Sequence, residues 1–255
     1  MPLPQMMISP VARSAARLGL YPAPTVFHIE DDPLWAGAIA SLISESAAFC
    51  HVGSASSGRD GVSLCWEKQP DIVLLDLGLP DIDGSIVLDK LSALPCPPQI
   101  LLLTGRMNEA LLYRVITGGI AGLIPKNGDF ARHLRPALAA AAAGMKYFPP
   151  EVREAVSRFR NFPDAFFKIL SPIERQLLSQ AGSGCSDGQI ARCTGRCAST
   201  IRVHFHNIMA KLGLKDRHEL LRWAQAKGLL TGCDRSRCEA RGRLRKSSPV
   251  YKQDV

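Results

Sequence analysis

The chain has 255 residues and a formal net charge of +8, and this length accommodates two small domains. No apolar stretch approaches the roughly 20 residues that a transmembrane helix needs, and residues 1–24 lack the continuous apolar segment of a secretory signal. We therefore expect a cytoplasmic protein, in which residues 1–24 form a mobile extension or follow a start codon assigned too early.

Four apolar runs in the first half of the chain predict strands. They lie at Thr25–Ile29, 72–75, 100–103 and 121–124. An aliphatic run of this length with turn residues behind it is typical of a buried strand in a parallel sheet. The fold expected here is an α/β doubly wound parallel sheet, in which ligands bind at the carboxyl ends of the strands.

Polar side chains follow each of these runs. Glu30 and Asp31 follow the first run, and Asp76 closes the second. Clustered carboxylates repel one another and favour a hard divalent cation such as Mg²⁺, which prefers oxygen ligands. Thr104 and Lys126 follow the other two runs and can donate hydrogen bonds to a phosphoryl group on Asp76. The alternative is a set of ordinary polar loop residues in a doubly wound fold.

In this order, the residues resemble the receiver domain of two-component response regulators, from about residue 25 to residue 146. The resemblance implies a flavodoxin-like sheet of five strands, in which Asp76 takes a phosphoryl group from a phosphohistidine of a sensor histidine kinase. It also implies that Thr104 and Lys126 contact this group and relay its arrival. Many receivers carry an aromatic switch residue three positions before the lysine. This chain has Leu123 there, so an aromatic switch cannot operate at that position.

Magnesium is the cofactor that the resemblance implies. Its ligands would be Asp31, Asp76 and the backbone carbonyl of Gly78, with Glu30 acting through a water molecule. Asp76 would be the attacking nucleophile, and the metal would offset the negative charge on both reactants. The chain would assist its own phosphorylation without being a conventional enzyme.

The second half of the chain carries three helix-start signals, each a capping residue followed three positions later by glutamate or glutamine. They are Ser171 with Glu174, Ser186 with Gln189, and Asp216 with Glu219. Together with an intervening segment from about residue 198 to residue 212, they predict a compact domain of four short helices.

The third of these helices has two distinct faces. One face is apolar and is expected to be buried, because its residues recur at helical spacing: Ile201, Phe205, Ile208 and Leu212. The opposite, narrow and partly basic face holds Ser199, Arg202, Val203, His206 and Ala210. Such a helix suits insertion into a DNA major groove, where Arg202 can donate to guanine and Val203 can contact a thymine methyl group. The alternative is a polar face that is only solvated.

Residues 170–230 resemble the LuxR-type helix-turn-helix of the NarL/FixJ subfamily of response regulators. The matching residues are Leu170-Ser171-Pro172, Glu174-Arg175, Ile190-Ala191, Gly195, Thr200-Ile201-Arg202-Val203-His204, Asn207-Ile208 and Lys211-Leu212-Gly213. The resemblance implies a transcription factor whose Arg202, Val203 and His206 face bases. The residues that it places near phosphates are Ser199, Thr200, Asn207, Lys211 and Lys215.

The turn before this recognition helix departs from the family pattern. It has Thr194, Gly195, Arg196 and Cys197 where the family usually has Leu, Gly, Ile and a capping Ser. Losing a serine cap typically costs about 1 kcal/mol. We expect Arg196 either to add a phosphate contact or to loosen the turn.

Charge divides unevenly along the chain. There are 9 basic and 13 acidic residues between Thr25 and Phe148, but 20 basic and 10 acidic residues from Pro149 onward. The expected division is an acidic half that binds metal and phosphoryl groups and a basic half that binds a polyanion. The eight cysteines lack the Cys-x2-Cys pairs of zinc sites. Reduced cytosolic thiols are therefore expected, with zinc binding or a redox switch as the alternative.

The predicted organisation is a receiver domain at 25–146, a linker at 147–168, a helix-turn-helix domain at 169–230 and a basic disordered tail at 231–255. We expect a regulator that binds promoter DNA, is phosphorylated by a sensor histidine kinase and dimerises when phosphorylated. Before phosphorylation, the receiver would pack against the recognition helix. The alternatives are a phosphotransfer element that no longer binds promoters, and a regulator that acts through a protein partner and ignores phosphorylation.

Overall fold

The computed structural model describes residues 23–182 and 184–229, which form two compact units. The first unit contains a sheet and runs to Arg160 without residues 108–110. The second unit is helical and comprises Asn108–Ala110 and the described residues from Asn161 onward. The predicted tail, and all but the last two residues of the predicted N-terminal extension, lie outside the described ranges. Within these ranges, no helix has the length and apolar character that crossing a membrane requires.

Five parallel strands form the sheet of the first unit. They are β1 (Thr25–Ile29), β2 (Cys50–Ala55), β3 (Ile72–Asp76), β4 (Gln99–Thr104) and β5 (Gly122–Pro125). Their order is β2-β1-β3-β4-β5, which confirms the predicted doubly wound fold with five strands. Because every pairing is parallel, the carboxyl ends and the polar residues behind them share one edge.

Five helices cover the two faces of this sheet. They are α1 (Pro33–Ser44), α2 (Gly58–Lys68), α3 (Gly84–Ser92), α4 (Glu109–Thr117) and α5 (Phe130–Ala142). Side chains alternate along β1, so Phe27 and Ile29 enter one apolar cluster and Val26 enters the other. Strand β3 is buried along its whole length, as expected for a strand covered on both faces.

A sixth helix, α6 (Pro150–Asn161), follows the sheet. Tyr147 pairs with Gly122 at the edge of β5. A Cβ on Gly122 would lie 2.5 Å from the Tyr147 carbonyl oxygen, so this approach requires glycine. Val152 of α6 is fully buried in an apolar cluster of the sheet. Residues 147–160, which the sequence predicts as linker, therefore pack as part of the first unit.

The second unit consists of short helices. They are α7 (Phe166–Ile169), α8 (Pro172–Gly182), α9 (Asp187–Thr194), α10 (Ala198–Leu212) and α11 (Arg217–Ala226). The predicted caps are present. The N–H of Ser171 donates to the carboxylate of Glu174, and Asp216 accepts from the N–H of Glu219. Ser186 and Gln189 form a reciprocal capping box. Helices α8 to α11 thus confirm the four that the sequence predicts, and the four-residue α7 precedes them.

A pair of histidines lies inside the first unit. His28 of β1 is 1% exposed, and its Nδ1 lies 3.0 Å from Nε2 of His51 on β2, with the two rings stacked. Burial first, and the neighbouring His51 second, lower the pKa of His28 from 6.5 to about 4. The folded protein therefore keeps His28 neutral at pH values where an unfolded histidine binds a proton.

This pKa shift predicts sensitivity to acid. Between pH 6.5 and about 4, the unfolded chain takes up a proton that the folded chain does not, so the free energy of unfolding falls as the pH decreases. The substitution His28→Phe should remove roughly 2 to 3 kcal/mol of that fall between about pH 7 and about pH 4.5. Urea unfolding of the full chain, followed by circular dichroism at both pH values, measures it. The exposed His218 provides the control His218→Phe, and an unchanged pH dependence in His28→Phe would contradict this account.

Candidate functional sites

Three carboxylates meet at the edge where the strands end. Asp76 is the last residue of β3, and Glu30 and Asp31 follow β1 beside it. One carboxylate oxygen from each of the three lies within 4.8 Å of the other two. Glu30 and Asp76 are buried, and Asp31 is partly exposed. Such a set of closely spaced oxygen donors fits a hard divalent cation of the kind the sequence predicts.

Lys126 offsets part of this negative charge. Its Nζ lies 2.6 Å from Oε2 of Glu30 and 2.9 Å from Oδ2 of Asp76. Burial alone would lower the pKa of Lys126, but the bonds to both carboxylates outweigh burial and raise that pKa. Burial raises the pKa of Glu30, and Asp76 adds to this rise while Lys126 opposes it. The site therefore keeps a charged ammonium group against Asp76.

The loop after β3 holds Gly78 beside Asp76. The ideal Cβ position of Gly78 is 3.5 Å from Oδ2 of Asp76, so the backbone of Gly78 passes close to the carboxylate. A Cβ on Gly84 would lie 2.5 Å from Cα of Leu77, so only glycine lets α3 begin this close to the end of β3. Asp83 caps α3 and accepts a hydrogen bond from its first turn at 2.8 Å.

Thr104 lies at the same edge, as predicted, and is buried. Its hydroxyl donates to the carbonyl oxygen of Arg106 at 2.7 Å and accepts from the N–H of Arg106 at 3.1 Å. A Cβ added to the following Gly105 would meet no atom of a non-neighbouring residue within 4 Å. To donate to a phosphoryl group, the Thr104 hydroxyl must therefore give up its bond to the carbonyl oxygen of Arg106.

Helix α10 has the two faces that its sequence predicts. Ile201, Phe205 and Ile208 are buried. The exposed positions include Ser199, Arg202, Val203, His206 and Asn207, and Thr200 is half-buried. Val203 is 57% exposed. This face therefore offers an apolar side chain among polar ones to an external partner.

Lys211 and Lys215, two of the residues predicted to lie near phosphates, have different surroundings. Nζ of Lys211 lies 2.7 and 2.9 Å from the two carboxylate oxygens of Glu174 on α8. Burial would raise the pKa of Glu174, but its bonds with Lys211 and Ser171 outweigh burial and lower that pKa. Lys211 therefore ties α10 to α8. Lys215, just after α10, is exposed.

Comparison with known families adds to this geometry. The response regulator receiver domain family matches residues 26–137, and the luxR family of bacterial regulatory proteins matches residues 168–224. The chain is a LuxR-family response regulator. The first match contains the Asp76 cluster of this response regulator, and the second contains α10. Its family assigns it to transcription regulation by DNA binding.

Relatives of this response regulator match along most of their length. The nitrate/nitrite response regulator protein NarL of Escherichia coli K12 is 29% identical over 203 residues, covering 78% of this chain and 94% of NarL. BvgA, a transcription regulator of virulence factors in Bordetella pertussis, is 28% identical over 206 residues, covering 80% of this chain and 98% of BvgA.

One solved structure with a similar fold is that of RcsB from Salmonella enterica serovar Typhimurium. It was solved bound to a promoter in the presence of the phosphomimetic BeF₃⁻. It covers 80% of this chain and 98% of RcsB, with a TM-score of 0.54 and 24% identity. This likeness supports the two-domain fold of the response regulator.

The turn before α10 lacks the cap that its backbone could use. Cys197 has the extended conformation of an N-cap residue, with φ −80° and ψ 149°, but its side chain makes no cap hydrogen bond. The polar Thr194 is accommodated because its hydroxyl donates to the carbonyl oxygen of Ile190 at 2.8 Å, and Arg196 is exposed. The fold thus accommodates Thr194 and Arg196, and the one group still missing from this turn is a side-chain acceptor at the N-cap of α10.

Restoring this cap should stabilise the second unit. The substitution Cys197→Ser supplies an acceptor for the free N–H groups at the start of α10, and we expect a gain of about 1 kcal/mol. For a unit of this size, the melting temperature should rise by about 4 to 8 °C. Thermal unfolding followed by circular dichroism measures the gain. Cys197→Ala is the matched control, and an equal gain in both variants would show that the hydroxyl is not the cause.

Proposed function

We propose that this response regulator accepts a phosphoryl group on Asp76 from a sensor histidine kinase in the cytoplasm and then binds promoter DNA as a homodimer. The observation that carries the proposal is the cluster around Asp76. A buried carboxylate with two others within 4.8 Å and an ammonium group at 2.9 Å is arranged to hold and neutralise added negative charge.

The reaction uses residues in separate roles. A carboxylate oxygen of Asp76 attacks phosphorus, the N–P bond of the phosphohistidine breaks, and the imidazole leaves with the electron pair. When bound, Mg²⁺ supplies positive charge that offsets the charge on both reactants. Asp31, Asp76 and the carbonyl of Gly78 would hold it, with Glu30 acting through water.

Two further side chains hold the product. Lys126 already lies against Asp76 and donates to the new phosphoryl oxygens. Thr104 donates to them after its hydroxyl leaves Arg106. This exchange of hydrogen-bond partners is a local change that depends on phosphorylation, and it begins the response in the rest of the receiver.

Helix α10 carries the output. Arg202, Val203 and His206 read base edges in the major groove. The phosphates are contacted by Ser199, Thr200, Asn207 and Lys215, and by Lys211 only if it leaves Glu174. A dimer would place two copies of α10 on paired half-sites. Phosphorylation favours this dimer.

Genome-wide DNA occupancy of wild type, Asp76→Asn and Arg202→Ala tests the whole proposal. We expect discrete sites for the wild type and their loss in both variants. A phosphotransfer element would show no discrete sites in the wild type. A regulator that ignores phosphorylation would keep its sites in Asp76→Asn. Either result would replace the proposed function.

A further inference from the structure

This receiver lacks an aromatic switch at the expected place. Leu123 stands there and is fully buried within an apolar cluster. An aromatic ring does lie near the phosphoryl site, but on a different element. It belongs to Trp35 in the first turn of α1.

Trp35 contacts the ammonium group of the site. Nζ of Lys126 lies 5.5 Å from the centroid of the Trp35 ring, within the range of a cation–π interaction, for which tryptophan is the best partner. The same Nζ bonds Glu30 and Asp76. The position of one ammonium group is thus determined jointly by two carboxylates and one indole ring.

Trp35 also contacts the first residue of α5. Its ring meets that of Phe130 edge to face, with centroids 5.0 Å apart and an interplanar angle of 83°. Phe130 is 4% exposed and shares an apolar cluster with Leu134 and Leu138 along the buried face of α5. A displacement of the indole ring must therefore be accommodated by Phe130, because a close-packed cluster transmits small shifts.

We propose that Trp35 is a positioning residue that relays the phosphorylation state of Asp76 from Lys126 to Phe130 and the start of α5. This inference rests on the proposed phosphorylation of Asp76. Phosphorylation adds charge and new acceptor oxygens at Asp76, which draw the Lys126 ammonium towards them and change its contact with the indole ring. Trp35 then repacks against Phe130, so the relay runs through α1 and α5 instead of through Leu123.

Hydrogen exchange with and without BeF₃⁻ and Mg²⁺ tests the relay in the full chain. In the wild type, BeF₃⁻ should change the protection of amides in the first turns of α5. Trp35→Leu should lose this change while Asp76 still binds BeF₃⁻, as followed by fluorine NMR. Trp66→Leu is the matched control, because Trp66 is 60% exposed on α2, and it should behave as wild type.

Fluorescence provides a second measurement that does not depend on the folding of Trp35→Leu. In the variant Trp66→Phe, Trp223→Phe, the emission comes from Trp35 alone and should shift when BeF₃⁻ and Mg²⁺ are added. An unshifted emission, or a full response of α5 in Trp35→Leu, would overturn the relay. Wild-type protein that binds no BeF₃⁻ would instead overturn the proposed function, and the relay with it.

Discussion

The Asp76→Asn protein should take up no phosphoryl group from acetyl phosphate and Mg²⁺, whereas the wild type should take up one. An amide has the size of a carboxylate but lacks the anionic oxygen that attacks phosphorus. Lys126 retains its contact with Glu30 at 2.6 Å, so the substituted site should still fold. Intact-mass spectrometry measures the added group, and chelation of the metal by EDTA should suppress labelling of the wild type.

The matched control lies in the same loop. Asp83→Asn removes a neighbouring carboxylate, but asparagine is an equally good cap, so α3 should keep its start and labelling should stay at the wild-type level. A labelled Asp76→Asn protein would mean that another residue is the acceptor. Loss of labelling in Asp83→Asn would mean that labelling depends on the conformation of the loop. The loss in Asp76→Asn would then not identify Asp76 as the acceptor.

The edge of the sheet could be predicted because it depends on local signals. An apolar run followed by a polar residue identifies a strand end, and parallel strands bring such ends together. Glu30, Asp31 and Asp76 could be placed in one cluster on this argument alone. Strand β2 could not be located in the same way. Its sequence contains Gly53 and Ser54, and only one of its six positions is buried, so no continuous apolar run marks it.

Contacts between residues distant in sequence could not be predicted. Lys211 and Glu174 are separated by 37 positions in the sequence, and Trp35 and Phe130 are separated by more. The position of a tryptophan in a predicted helix suggests that its ring is buried, but it does not identify the residues that the ring contacts. Trp66 illustrates the limit, because it lies on a helix like Trp35 and yet its side chain is 60% exposed. Such contacts depend on how whole elements dock.

The packing of α6 has a consequence for signalling between the two units. The sequence predicts a linker at 147–168, long enough to allow two domain arrangements. Because Val152 is buried in the receiver core and the first unit reaches Arg160, fewer residues than predicted are available to act as a linker. A shorter linker restricts the separations that it can span.

The Arg202→Ala protein should lose about 1 to 3 kcal/mol of affinity for specific DNA, which is roughly a 5- to 150-fold weakening. Arg202 is exposed on α10, and a guanidinium group that bonds a guanine discriminates that base from others. Fluorescence anisotropy, with a fragment that the wild-type protein selects from random DNA, measures the loss. Arg222→Ala is the control, because Arg222 is an exposed arginine on α11, and its affinity should stay near that of the wild type.

The same anisotropy measurement, repeated at several salt concentrations, distinguishes the roles of Lys211 and Lys215. A lysine that neutralises a phosphate contributes about 0.9 to the slope of log K against log salt concentration, so Lys215→Ala should reduce the slope by about that amount. Lys211→Ala should leave the slope unchanged, because its ammonium group bonds both carboxylate oxygens of Glu174. A reduced slope in Lys211→Ala would mean that DNA draws this lysine away from α8. Equal affinities for Arg202→Ala and Arg222→Ala would remove α10 as the reading helix.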